Sequence, residues 1–137
     1  MSAEEKKLDM EGVAQDAAEA ERVAEEAKQE QETGSYTHTF KNPFPWKGKT
    51  YETLTFDWTA LNGGDHLEIE SEIVMKGRTL VSPAFTGDFL AGMAARACTE
   101  RDEKGKRVID GRAIKEMPLT DFQAITRKAR GFLLRAE

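Results

Sequence analysis

The chain has 137 residues, enough for one domain and too few for two of ordinary size. It carries 20 Lys and Arg against 25 Asp and Glu, a net charge of −5, and one cysteine, Cys98. That balance argues against nonspecific nucleic-acid binding, which needs a clustered basic face; the lone thiol excludes an internal disulfide framework and fits a reducing cytoplasm; and no uncharged apolar run approaches the roughly 18 residues of a membrane span.

The acidity sits at the front. Residues 1–33 hold 11 acidic and 4 basic side chains, whereas 34–137 hold 14 and 16. Every aromatic residue lies between Tyr36 and Phe132, so the core must come from the later part of the chain. A domain of that size buries about 60–70% of its unfolded surface and folds alone. The front is rich in Ala, Glu and Gln, which favour helix. Met10, Val13, Ala17, Ala20, Ala24 and Ala27 follow a 3-4 spacing that a coiled-coil seam would show. Alanine buries little area and Gly12 weakens a helix, so a frayed, solvated helix or disorder is preferred. With no apolar signal core, this front is not read as a secretory signal. The acidic extension is assigned to 1–35, with Thr33-Gly34-Ser35 as linker, and the folded domain to 36–137.

Tyr36, His38 and Phe40 share one face of a first strand, and Leu54, Phe56 and Trp58 one face of a later strand. Pro43 and Pro45 forbid a central strand between them, and Lys47-Gly48-Lys49 supplies a turn. The segment carrying Phe44 and Trp46 is therefore an edge or a long hairpin arm, and the two rings read as a lid packed on a small core, with a partner contact as the alternative. A lone hairpin is unstable in water, so helices must cover its apolar face.

Asn62-Gly63-Gly64-Asp65 breaks the strand, with Asp65 and Glu68 placed as a capping box. The residues after it admit two readings. Leu67, Ile69, Ser71, Ile73 and Met75 alternate as in a strand; Leu67, Glu70, Ile73 and Val74 form a helical stripe. Helix is chosen, ended by Gly77.

A second helix carries Phe85, Phe89, Leu90, Met93, Ala94, Ala97 and Cys98 on one face. Thr86 is its expected cap, and Phe85 and Leu90 are placed as a hydrophobic staple. Ala91, Gly92 and Ala95 leave room for a close neighbour, and Cys98 reads as a buried structural thiol. A charged loop and one short helical turn follow, stopped by Pro118. The last helix has Thr120 and Gln123 as an expected capping box and Leu119, Phe122, Ile125, Ala129, Phe132 and Leu133 as its buried stripe. Asp121 near its start and Arg127, Lys128, Arg130 and Arg135 toward its end suit the helix dipole. The fold class is α+β: an N-terminal β-hairpin packed on about three to four α-helices, preceded by an acidic helical or disordered extension.

No nucleophile elbow, paired-cysteine or zinc-protease motif occurs, and neither His38 nor His66 has a second ligand at metal spacing. No catalytic residue, cofactor or metal is expected. An enzyme would need a cleft gathering Asp57, Asp65 and His66.

Tyr51, Leu54 and Phe56 on a strand, Gly64-Asp65 leading into a helix, Ala94, Ala95 and Ala97 in an Ala-rich helix, and Leu119, Asp121, Phe122, Phe132 and Leu133 in a last helix form a series. Over about residues 37–135 this series resembles the small tail assembly chaperones of long-tailed bacteriophages and prophages. The resemblance implies a protein of the host cytoplasm that binds the tape measure protein and keeps it soluble until tail tube subunits polymerise around it. Such a chaperone is not expected in the mature virion, and a longer frameshifted product often accompanies it. The tail tube protein and further copies of the chain are possible partners; nucleic acid and membrane are not. Candidate contacts are Phe44 and Trp46 on the hairpin arm and Arg127, Arg130 and Leu134 on the last helix. The alternative is a structural tail or connector subunit of a phage virion.

Overall fold

A computed structural model of the chain describes residues 34–135 and positions 17, 18, 20–22, 24 and 25. The chain divides into two units, 1–33 and 34–137. In the first, Ala17, Ala18, Ala20, Glu21, Arg22, Ala24 and Glu25 are helical and exposed. Met10, Val13 and Ala27 of the expected seam lie outside the described residues.

The second unit is α+β. Strands β1 (Ser35–Trp46) and β2 (Lys49–Asp57) form an antiparallel hairpin. Lys47 and Gly48 connect them, both with positive φ (47° and 77°), the geometry that matches a two-residue turn to the twist of its strands. Pairing runs from Ser35↔Asp57 to Thr39↔Thr53 and resumes at Phe44↔Tyr51. Residues 40–43 of β1 thus face a single residue of β2, and Pro43 sits in this bulge, where no ladder donor is needed. The bulge keeps Phe40 and Phe44 on one face, both buried. His38, Phe40, Phe44 and Trp46 then pack in sequence, the first pair edge to face and the next two stacked, with ring centroids 4.8, 5.6 and 6.2 Å apart. On the other strand Phe56 stacks on Trp58 at 5.6 Å.

Helix α1 (Gly63–Met75) confirms the helical reading of the ambiguous segment. Its cap lies earlier than expected. Asn62 accepts from the Asp65 amide at 3.0 Å and Asp65 accepts from the Asn62 amide at 2.9 Å, so Asp65 is the third residue of a capping box and not its cap. Asn62 wins because two glycines after it leave the chain free to turn into the helix. Arg78 and Gly77 amides bond back to Ile73 and Val74 carbonyls, a Schellman ending at the predicted Gly77. The buried positions are Ile69 and Ile73; Leu67 and Val74, expected in the inward stripe, face solvent.

Helix α2 (Gly87–Ala97) is the central element, contacting α1, β2 and the two helices that follow. Phe89, Leu90, Met93, Ala94 and Ala97 are buried as expected, and so are Ala91 and Ala95. Gly92 is needed here: a Cβ on it would stand 2.9 Å from Ile69 Cγ2 of α1. Thr86 is the N-cap as expected, but its hydroxyl donates to the Ser82 carbonyl instead of accepting from the helix; Phe85 is 69% exposed, so the expected staple with Leu90 does not form. The Pro83–Phe85 turn before α2 directs Phe85 outward. At the far end of α2, Cys98 bridges Phe56 and the Thr99 amide bonds the Thr55 carbonyl, which ties the helix layer to β2.

Helix α3 (Gly111–Glu116) is the short turn, capped by Asp110 accepting from the Ala113 amide. Helix α4 (Leu119–Arg135) starts directly after Pro118, whose carbonyl accepts from the Phe122 amide. Thr120 is therefore inside the helix and makes no capping box with Gln123. Pro118 opens α4 because its fixed φ suits a helix start and its missing amide costs nothing there. Ile125 and Ala129 are buried, Phe122, Phe132 and Leu133 half-buried, and Leu119 is 68% exposed. Phe56 and Phe89 meet inside one core, with Phe122 packed on its margin. No helix among the described residues is long and apolar enough to cross a membrane.

Candidate functional site

The candidate contacts divide into two sets. Phe44 and Trp46 are 6% and 7% exposed, and Trp46 donates its indole N–H to the Val108 carbonyl at 3.0 Å. This agrees with the reading of the pair as a lid packed on the core and corrects the alternative that they are partner contacts. The bulge turns both rings inward, where they extend the core under the hairpin tip. Arg130 is half-buried, donates to the Ala84 carbonyl at 2.8 Å and lies over the Phe85 ring at 5.6 Å. It holds the Pro83–Phe85 turn against α4. Arg127 is exposed, and Leu134 is 54% exposed, so these two remain open to a partner.

Sequence reasoning passed over a larger apolar surface. On α1, Leu67 (63% exposed), Val74 (59%) and Met75 (86%) stand away from the core. Leu67 and Val74 are seven residues apart, two turns, so they share a face. Ile69 and Ile73 occupy the opposite face. The helix thus carries apolar side chains on both sides, Ile69 and Ile73 covered by α2, and Leu67 and Val74, with Glu70 between them, covered by none of the described residues. Val81 and Phe85, also exposed, follow in the connection to α2. The sequence put Leu67, Glu70, Ile73 and Val74 in one stripe; the structure splits it, with Ile73 turned to the core and Leu67 and Val74 turned outward.

Charged residues anchor α1 and α2 around this surface. Arg96 of α2 donates to Asp65, Glu68 and Glu72 of α1 at 3.1, 2.6 and 3.3 Å. Asp88 receives Lys115 Nζ at 2.7 Å and also pairs with Arg78. The Lys115 contact first, then Arg78, hold the Asp88 carboxyl below its ordinary value of 3.8. The Asn62 amide first, then Arg96, do the same for Asp65. A carboxylate with a depressed folded value stabilises the fold above its unfolded value and loses that stabilisation as pH falls through the folded value. The melting temperature is therefore expected to be flat from neutral pH down to about 4 in this respect and to fall below it. Asp88→Asn should reduce the steepness of that acid limb, and a calorimetric pH series reads it.

A buried polar chain links the hairpin to α4. His38 Nε2 lies 2.7 Å from Asp121 Oδ1, and His38 Nδ1 lies 2.7 Å from the Tyr36 hydroxyl. His38 and Asp121 are 6% and 8% exposed. The strand pattern placed Tyr36 and His38 on one face, and the helix pattern placed Asp121 in a first turn, but nothing local joins positions so far apart. Asp57, Asp65 and His66, which an enzyme would need in one cleft, each have other contacts. Asp57 caps Thr59, Asp65 serves the α1 cap, and His66 lies beside Glu70 and against Phe89. Among the described residues no group of His, Cys, Asp and Glu is placed to hold a metal. Burial pushes the Cys98 thiol above its ordinary value, which keeps it protonated and unreactive.

The domain therefore defines a small α+β module with an uncovered apolar helix face. Comparison with protein-family models, curated proteins and solved structures finds no match.

Proposed function

We propose that the chain is a tail assembly chaperone of the long-tailed-phage kind, which binds the tape measure protein and keeps it soluble before the tail tube polymerises. The observation that carries this reading is the outward face of α1, where Leu67, Val74 and Met75 lie uncovered beside a separate, completed core. A tape measure protein presents long apolar helical stripes, and an amphipathic helix laid along another helix buries both faces at once. Each contact is small, so many copies along one long partner add avidity while each copy remains displaceable by tube subunits. The resemblance of the residue series over 51–133 to the small tail assembly chaperones points to the same role. The exposed Arg127 and Leu134 of α4 supply a second contact.

Co-expression with the tape measure protein tests this. The native chain is expected to hold the tape measure in the soluble fraction and to co-purify with it. Leu67→Glu/Val74→Glu should leave the melting temperature within a degree or two, because exposed positions contribute about 0.5 kcal/mol or less, yet abolish co-purification. A tape measure that stays insoluble with either form refutes the chaperone role. Recovery of the chain from purified particles would instead identify a structural tail or connector subunit.

A further inference from the structure

A second concave site lies at the hairpin tip, away from the α1 face. The Lys47-Gly48 turn and the turn formed by residues 101–107 enclose a cleft of about 600 Å³. The second turn is closed by the Arg101↔Arg107 bridge, and Asp102 Oδ1 accepts from the Lys104 and Lys106 amides at 2.8 and 2.9 Å. Lys47, Lys49, Arg101, Lys104 and Lys106 line the cleft. Elsewhere in the domain Arg96 meets three carboxylates and Asp88 takes two cations, while single exposed cations such as Lys41 and Lys76 meet none among the described residues. Here, among the described residues, none of the four lysines has a carboxylate partner. Lys47 and Lys49 lie over the Trp46 and Tyr51 rings, and Arg101 donates to the Cys98 and Glu100 carbonyls. Asp102 and Glu103 also line the site, which leaves it a net positive charge in an acidic chain.

Tyr51 forms part of the wall and is 6% exposed. Its hydroxyl is the one buried side-chain polar atom, among the described residues, without a hydrogen-bond partner. Burial first, then the Glu100 carboxylate, raise its value, so the phenol stays protonated as a donor. A buried donor left unmet costs free energy that an incoming acceptor recovers.

We propose that this cleft binds a phosphate chain, a triphosphate or comparable oligophosphate. Four of the five cations are lysines, compact point charges that attract a polyanion without demanding one planar geometry, and lysine is an established phosphate binder of that kind. The volume fits a small ligand, within the range of about 300–1,000 Å³ that such sites span. Gly48 stands at the rim with open space where a side chain would be, so a phosphate can approach the backbone. The lysines supply the attraction, and the Tyr51 hydroxyl donates to a ligand oxygen once the 101–107 turn shifts to uncover it.

Titration of the full chain with inorganic triphosphate, followed by calorimetry and by amide NMR shifts, tests the assignment. Saturable one-to-one binding is expected, with shifts confined to the two turns and affinity falling as salt rises. Lys104→Glu/Lys106→Glu should weaken it at least tenfold without lowering the melting temperature. Tyr51→Phe should weaken it several-fold while leaving the free protein as stable or more so. A nucleoside triphosphate binding as well as triphosphate assigns recognition to the phosphates alone; tighter binding adds a base contact to the same site. No saturable binding of either, or equal affinity in the lysine variant, overturns the proposal. Equal affinity in Tyr51→Phe overturns the role given to the hydroxyl. Tighter binding of a polyglutamate peptide than of triphosphate overturns it in favour of an acidic protein segment.

Discussion

Phe56→Ala is expected to lower the free energy of unfolding by about 3–5 kcal/mol, the range for truncating a fully buried Phe. Against a total of about 5–15 kcal/mol for a domain of ordinary stability, that removes a large fraction of the folded population's margin. The position justifies the upper part of the range. Phe56 is 0% exposed, stacks with Tyr36 at 6.4 Å and Trp58 at 5.6 Å, and bridges Cys98 at the end of α2. It therefore stands where hairpin and helix layer join. Aromatic walls on both sides are rigid and cannot collapse into the vacated space, so most of the cavity term persists. The urea midpoint should fall with little change in slope, because the surface exposed on unfolding is nearly the same. Phe85→Ala is the control. At 69% exposure its loss should change stability by about 0.5 kcal/mol or less, although the sequence placed it on the same buried stripe as Phe89. Comparable losses at the two positions would mean that Phe85 packs in solution and that the uncovered surface is smaller than described.

That contrast marks how far the sequence is legible. Alternation at Leu54, Phe56 and Trp58 gave the strand and its inner face, because period-2 patterning depends only on the pleat. Gly77 and Pro118 gave helix limits, because φ above zero and a missing amide act locally. Periodicity also placed Leu67 and Val74 on one face, but it cannot say whether a neighbour covers that face. Here the neighbour, α2, takes the Ile69–Ile73 side through the Gly92 notch. For Phe44 and Trp46 the sequence left a packed lid and a partner contact both open, because prolines mark an edge but not which way its rings turn; the bulge between Thr39 and Phe44 rotates the arm so that its aromatics continue the core. Thr86 was placed correctly, but the caps of α1 and α4 were misplaced by two or three residues because several Asn, Asp and Thr side chains compete and only the final chain direction decides. The oligoanion cleft was invisible, since its two turns lie far apart in the chain.

The His38–Asp121 pair is the least local feature of all, and its removal should have the second large effect. Asp121→Ala leaves His38 Nε2 buried without a partner, at a cost of about 1–3 kcal/mol if the ring is neutral and about 3–5 kcal/mol if it is an imidazolium. In the neutral case Nε2–H donates to Asp121 and Nδ1 accepts from the Tyr36 hydroxyl; in the charged case both ring nitrogens donate. Ring nitrogen chemical shifts distinguish the two and fix which cost applies. A double-mutant cycle separates the pair from its surroundings. His38→Ala also removes an aromatic from the stack on Phe40, at 4.8 Å, so its single loss contains packing as well as polarity. The double variant should lose less than the sum of the singles by about 0.5–3 kcal/mol, the coupling of residues that share a bond. Tyr36→Phe should cost about 0.5–1.5 kcal/mol, the net worth of one hydrogen bond. Additive losses at His38 and Asp121 would show that the two side chains do not meet in solution, and the first turn of α4 would then dock on the hairpin through Ile125 and Phe122 packing alone. Coupled losses would place the polar chain among the contacts that fix which way α4 lies across the strands, a choice that apolar packing leaves less tightly specified.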